Sequence, residues 1–167
     1  KLVYKKIEVK TPLGISIENI PQEQPILCTI LRAGLAMHNG LLNVFDHSES
    51  AFVSAYRKHT TPEEFEIYVE YIAIPEMKGK IWIISDPMLA TGNSMVAVYK
   101  ALAKISKPSK IFIASAIGTN EAIIFIKKHF PKNTEIFVAA IDLELTAQSY
   151  IVPGLGDAGD LAYGVKI

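Results

Sequence analysis

One cysteine in 167 residues rules out an internal disulfide, and no apolar run approaches the roughly 18 residues a membrane-spanning helix needs. Cys28 sits within the apolar run from Pro25 to Leu31 and reads as a buried, inert strand thiol rather than a nucleophile. No secretory signal pattern is visible, so a cytoplasmic location is expected and no membrane partner. Neither sign of charge is in excess: 17 basic residues balance 17 acidic ones. That excludes a global basic field, and with it nucleic acid as an expected partner; any phosphate binding has to come from a local site. The four histidines, His38, His47, His59 and His129, show no metal-ligand spacing and read as surface residues. A G-x-S-x-G nucleophile turn, an internal repeat and a linker long enough to separate domains are all missing.

What is present suits one compact domain. Half the residues are hydrophobic, and the length suffices to bury roughly 70% of the unfolded surface. Thr11-Pro12-Leu13-Gly14 is a turn signal, followed by a short alternating strand from Ile15 to Ile20. Ile26 to Leu31 reads as a parallel strand covered on both faces. Leu35 to Phe45 has helical spacing, with Leu35, Leu41, Leu42 and Phe45 on one buried face. Ala51 to Tyr56 is the next strand, Arg57 to Glu64 a solvated loop, and Glu66 to Ile74 one limb of a projecting antiparallel arm. Strands at Ile81–Ser85, Lys110–Ala116 and Glu135–Ile141 then alternate with helices at Met95–Ile105 and Asn120–Phe130. That alternation implies an α/β fold, a parallel sheet with flanking helices. Trp82 is expected in its core.

Four segments fall where a strand ends, which is where open α/β sheets bind ligands. The most informative runs Asp86-Pro87-Met88-Leu89-Ala90-Thr91-Gly92-Asn93-Ser94. It joins an apolar strand to a helix through a small-residue turn, leaving backbone N–H groups free where the helix dipole favours an anion. Thr91 and Ser94 add hydroxyl donors, and Gly92 permits close backbone approach. Leu31-Arg32-Ala33-Gly34 and Tyr56-Arg57 each place an arginine at a strand end, as an anion site or an ordinary connector. Ile151-Val152-Pro153-Gly154-Leu155-Gly156-Asp157-Ala158-Gly159-Asp160 is dense enough in glycine to wrap a flat ligand with main-chain groups, or to be a flexible tail.

Taken together, Pro25-Ile26-Leu27, Leu31 to Leu35, Tyr56-Arg57, Asp86 to Gly92 and Tyr150 to Asp160 closely resemble uracil phosphoribosyltransferase, in the same order and over nearly the whole chain. The resemblance implies the type I phosphoribosyltransferase fold, with an arm at about 57–80 and a uracil-binding hood at about 142–167. It implies transfer of the ribosyl phosphate of phosphoribosyl pyrophosphate (PRPP) to N1 of uracil, giving UMP and pyrophosphate. By motif, Thr91 to Ser94 would hold the 5-phosphate, and Asp86 would face the ribose hydroxyls within a PRPP loop that includes Pro87, Met88, Leu89 and Ala90. Arg32, with the turn after it, and Arg57 from the arm would hold pyrophosphate. Ile151, Gly156, Asp157 and Ala158 would recognise uracil, with Asp157 also near the donor and its Mg²⁺. Arg57, Asp86 and Asp157 would be the catalytic set. The family further implies a homodimer or larger homo-oligomer, a GTP activator, and an N-terminal helical stretch that this chain, beginning at Lys1, lacks.

Asn93 stands where the family usually has a second glycine; Asn tolerates left-handed backbone, so the loop is expected to survive. Pro87 after Asp86 fits uracil enzymes rather than orotate or purine ones, which often carry a second acid there. The arm residues Ile67, Val69, Tyr71 and Ile72 read as an exposed apolar patch, and so as a dimer contact. The rival reading is a non-catalytic nucleotide-sensing or RNA-binding regulator on the same fold.

Overall fold

A computed structural model describes residues 2–59 and 65–166. In chain order the elements are β1 (Tyr4–Thr11), β2 (Gly14–Pro21), β3 (Ile26–Leu31), α1 (Gly34–Leu42), β4 (Ser50–His59), β5 (Phe65–Ala73), β6 (Ile81–Ser85) and β7 (Met88–Leu89). They continue with α2 (Asn93–Ile105), β8 (Lys110–Thr119), α3 (Asn120–His129), β9 (Glu135–Asp142), β10 (Glu144–Leu145), β11 (Ile151–Val152) and α4 (Ala158–Tyr163).

The central sheet runs β5-β4-β3-β6-β8-β9, with β5 antiparallel and the others mutually parallel. Continuous apolar runs occupy its centre because β3 and β6 are covered on both faces: Ile26, Leu27, Cys28, Trp82 and Ile84 are all fully buried. Trp82 satisfies its one donor by giving Nε1–H to the Met77 carbonyl at 3.0 Å. Burial pushes the Cys28 thiol far above its ordinary value, as its inert reading requires. The short β7 continues the path of β6 along β8. Ser85 faces Ala114 and Met88 faces Ile117, three residues on along each chain, so Asp86 and Pro87 interrupt the lane without changing its register.

Several local expectations need correction. β1 is a strand in its own right, paired antiparallel with β2 in a hairpin apart from the central sheet. α1 stops at Leu42, where Val44 and Phe45 both donate to the Leu41 carbonyl and close a turn. β4 runs through Arg57, Lys58 and His59 rather than giving way to a loop there, because β5 pairs with them antiparallel and takes up their backbone groups. The remainder of that stretch lies outside the described residues. β8 extends to Thr119, since β7 and β9 pair with its far end on either side.

The arm patch is also different. Opposite Ser54/Ala55 the register shifts, pairing Ser54 with Tyr71 and Ala55 with Val69. Glu70 is thus an extra residue, a β-bulge that flips the alternation. Val69 and Ile72 consequently both pack on the core, while Tyr71 is 56% exposed. The four residues do not form one outward face.

Candidate active site

The strand ends converge as expected. Arg32 and Ala33 after β3, Asp86 after β6, the loop from Met88 to Ser94, and Gly156 to Asp160 line one open cleft of about 580 Å³. Pro87 and Ile151 do not line it. Pro87 has its carbonyl turned into the sheet, accepting from Ala116 N (3.2 Å) and Ile117 N (3.0 Å). Ile151 is buried and pairs with Leu145 in the small β10-β11 ladder. Of Arg57 only the backbone is described, on β4 beside the cleft-lining Tyr56.

The loop from Asp86 to Ser94 owes its shape to contacts beneath it. Gly92 is the N-cap of α2 with φ +79°, a left-handed conformation, and a Cβ there would lie 3.1 Å from Ile126 Cγ1 and 3.2 Å from the Ala122 carbonyl. Its glycine is therefore required by conformation and by packing on α3, and not only by the approach of a ligand. Thr119 fastens the same loop: its Oγ1 donates to the Ala90 carbonyl (2.8 Å) and accepts from Ala122 N (3.0 Å). One buried hydroxyl thus caps α3 and anchors the turn. Above it, the Gly92 N-cap of α2 offers no side chain, Thr91 Oγ1 accepts only from Asn93 N at 3.4 Å, and the first turn holds no acid, leaving the dipole end open to an anion. Asn93 is the first helical residue of α2 and has no left-handed φ, so its tolerance of that region is not called on.

Asp86 sits at the cleft floor, accepting from Met88 N at 3.3 Å. Burial raises its carboxyl to about 7, the nearby Asp157 carboxylate adds to the rise, and the Met88 hydrogen bond opposes it. Asp157 itself caps α4, accepting from Asp160 N at 2.9 Å. Arg32 donates from Nη2 to Asp160 Oδ1 (2.7 Å) and from Nη1 to the Gly164 carbonyl (3.2 Å). The turn behind Arg32 is packed tightly: a Cβ on Gly34 would come within 3.2 Å of the Ser85 carbonyl. Among the described residues no three His, Cys, Asp or Glu gather into a set able to hold a metal alone.

Two residues of the cleft carry no individual role in the sequence reading. Asp160 and Lys166 line the cleft, and Lys166 Nζ stands 5.5 Å from the Tyr56 ring centre. The D-x-x-D spacing of Asp157 and Asp160 is a readable helix-cap signal; Lys166 leaves none. His38, expected on the surface, is 2% exposed and lies between Thr29 Oγ1 (2.6 Å) and Ser50 Oγ (3.1 Å), tying α1 to β3 and β4. Burial lowers its pKa, as for a satisfied core histidine.

A parallel sheet ending in an acid-bearing loop, an open helix N-terminus and a second basic turn defines the type I phosphoribosyltransferase class. A solved purine phosphoribosyltransferase from Pyrococcus horikoshii shares that fold, with a TM-score of 0.52 at 14% identity over 74% of this chain and 81% of that one. The likeness is far greater to the AQ2163 protein of Aquifex aeolicus: TM-score 0.85 and 36% identity, covering 99% of this chain and 77% of that one. Residues 1–165 match the uracil phosphoribosyltransferase family. Relatives of that name include one from Porphyromonas gingivalis, 53% identical over all of this chain and 77% of its own length. Another, from Thermococcus gammatolerans, is 40% identical over 98% of this chain and 73% of its own. The chain belongs to the uracil phosphoribosyltransferase family.

Proposed function

We propose that the cleft carries out the reaction for which this family is named, moving the 5-phosphoribosyl group from PRPP to N1 of uracil and releasing pyrophosphate. The observation that carries this reading is the meeting of Arg32, the open α2 N-terminus and the glycine-rich hood around a single cleft. Breaking the C1′–O bond leaves positive charge on the sugar and negative charge on pyrophosphate, so the protein's task is to stabilise separated charge and align two reactants.

In this reading the first turn of α2, with Thr91 and Ser94, holds the 5-phosphate. Asp86 accepts from the ribose hydroxyls. Arg32 and its turn hold the leaving pyrophosphate, and Arg57 reaches it from the arm. Main-chain groups at Gly156 to Ala158, with Ile151 behind them, read the uracil edge. Asp157 is close enough for its charge to act on Asp86, and the two carboxyls supply oxygen ligands of the kind Mg²⁺ takes when substrate phosphates complete its shell. Bound there with the donor, Mg²⁺ would supply charge neutralisation to the leaving group. Asp157 would hold it from the hood while Asp86 keeps the sugar in place. The substrates are small molecules; a cytoplasmic location, a homodimer and GTP activation belong to the same proposal, and no helix among the described residues is long and apolar enough to cross a membrane.

The test is direct. Purified protein given uracil, PRPP and Mg²⁺ should form UMP and pyrophosphate in equal amounts. Tight PRPP binding without any UMP would favour a regulator that has kept the fold and lost the transfer.

A further inference from the structure

Arg32 is the cation that the reading above assigns to the leaving pyrophosphate, yet it already has an anion on the protein itself. Asp160 Oδ1 accepts from its Nη2 at 2.7 Å, and the Gly164 carbonyl accepts from Nη1. Asp160 comes from the hood, 128 residues along the chain from Arg32. Its position is fixed by Asp157, which accepts from the Asp160 backbone N–H. One residue away, Gly159 faces the same turn, and a Cβ on it would lie 3.7 Å from Ala33 N. The base-reading hood therefore rests on the pyrophosphate turn, and the contact uses the charge the ligand needs.

The two side chains are 39% and 33% exposed, so the pair contributes little to stability. Its consequence is competition. A polyanionic pyrophosphate group that engages Arg32 meets the carboxylate already seated there, and like charges in contact repel, so the two compete for it. We propose that Asp160 is an internal stand-in for pyrophosphate. It occupies and orients Arg32 while the donor site is empty, yields it when PRPP arrives, and retakes it as pyrophosphate departs. Asp160 is then a positioning residue that couples the donor turn to the hood. This rests on Arg32 being the pyrophosphate ligand.

Calorimetry of inorganic pyrophosphate with Mg²⁺, on the intact chain, separates the possibilities. Asp160→Asn and Asp160→Ala should both bind pyrophosphate roughly 3- to 10-fold more tightly than the parent, with a matching fall in KM for PRPP and no change in KM for uracil at saturating PRPP. In an Arg32→Ala background the Asp160 substitutions should have no further effect. If Asp160 merely props up the hood, the uracil KM would rise and pyrophosphate affinity would stay put, overturning the proposal. If Arg32→Ala weakens pyrophosphate binding but Asp160→Asn does not strengthen it, the stand-in is refuted and the site reading survives. Unchanged binding in Arg32→Ala would refute both.

Discussion

The phosphate turn and the hood both depend on glycine, but they are held in different ways. Gly92 adopts φ +79° with α3 packed against it, and Thr119 ties the turn down from below. Gly156 adopts almost the same φ, +78°, with nothing within 4 Å of where its Cβ would be. Beyond the buried Ile151 and Gly159 at its base, the hood is tied by polar contacts: Gly154 N to Asp142 Oδ2, Asp157 to Asp160, and Asp160 to Arg32. A turn fixed by packing keeps its donors aimed before the ligand arrives, which is what preorganised electrostatic stabilisation requires. A flap fixed by exchangeable polar contacts can open for a flat base and close over it. The Asp86–Ser94 turn is built as a floor, and the hood as a lid.

The largest expected effect lies in the lid. Uracil presents an N3–H donor between two carbonyls, whereas cytosine presents an N3 acceptor beside an amino donor. Main-chain groups cannot reverse their polarity, so a hood that reads the base edge should reject cytosine by about 10⁴-fold, while 5-fluorouracil turns over within about tenfold of uracil. Comparable rates with cytosine would mean that the hood does not read the edge.

The next contrast sets the two glycines against each other. Gly92→Val forces a β-branched residue into left-handed backbone and into the Ala122 carbonyl, and should lose about 3–5 kcal/mol, roughly 10 °C in Tm, together with PRPP binding. From the sequence alone only the binding would be expected to suffer; the packing on α3 makes stability suffer as well. Gly156→Ala should lose only about 1–2 kcal/mol, from backbone strain alone. Thermal melts showing equal losses would erase the distinction between floor and lid.

Asp86 tests the floor through pH. Its native value of about 7 lies above its ordinary 3.8, so between those values the native state binds more protons than the unfolded one. Its contribution to stability is therefore greatest below pH 4 and falls as pH rises to 7, by up to about 1.4 kcal/mol per unit. In metal-free, ligand-free protein, Asp86→Asn should remove that fall and be the more stable form at pH 8. Parallel stability curves for the two proteins would show Asp86 to be ionised and well solvated instead.

The smallest effect concerns the fastening of the floor. Thr119→Val removes both hydrogen bonds and should lower stability by about 1–2 kcal/mol and raise the PRPP KM without moving that for uracil; Thr119→Ser should restore both. A uracil KM that shifts equally would mean that Thr119 supports the whole cleft rather than the phosphate turn.

Much of this is legible in the chain. The apolar runs at Ile26 and Ile81 announce buried central strands, and Asp86 to Ser94 announces a strand–turn–helix connection with a glycine at its turn. What stays hidden depends on contacts distant in sequence. The bulge at Glu70, which turns Val69 and Ile72 inward, arises from pairing with β4. His38, on α1, reads as a surface residue because its partners, Thr29 and Ser50, lie on the strands β3 and β4. The bond from Arg32 to Asp160 spans most of the chain, and no local spacing encodes it.

Amide hydrogen exchange, followed with and without UMP, tests the contrast between floor and lid most directly. Peptides covering 97–105, the hydrogen-bonded body of α2 behind the phosphate turn, should exchange slowly in the ligand-free protein and change little on binding, whereas those covering 149–164 should exchange fast and slow markedly when UMP is added. Equal protection of the two segments without ligand, or no slowing of 149–164 when UMP is added, would contradict the account.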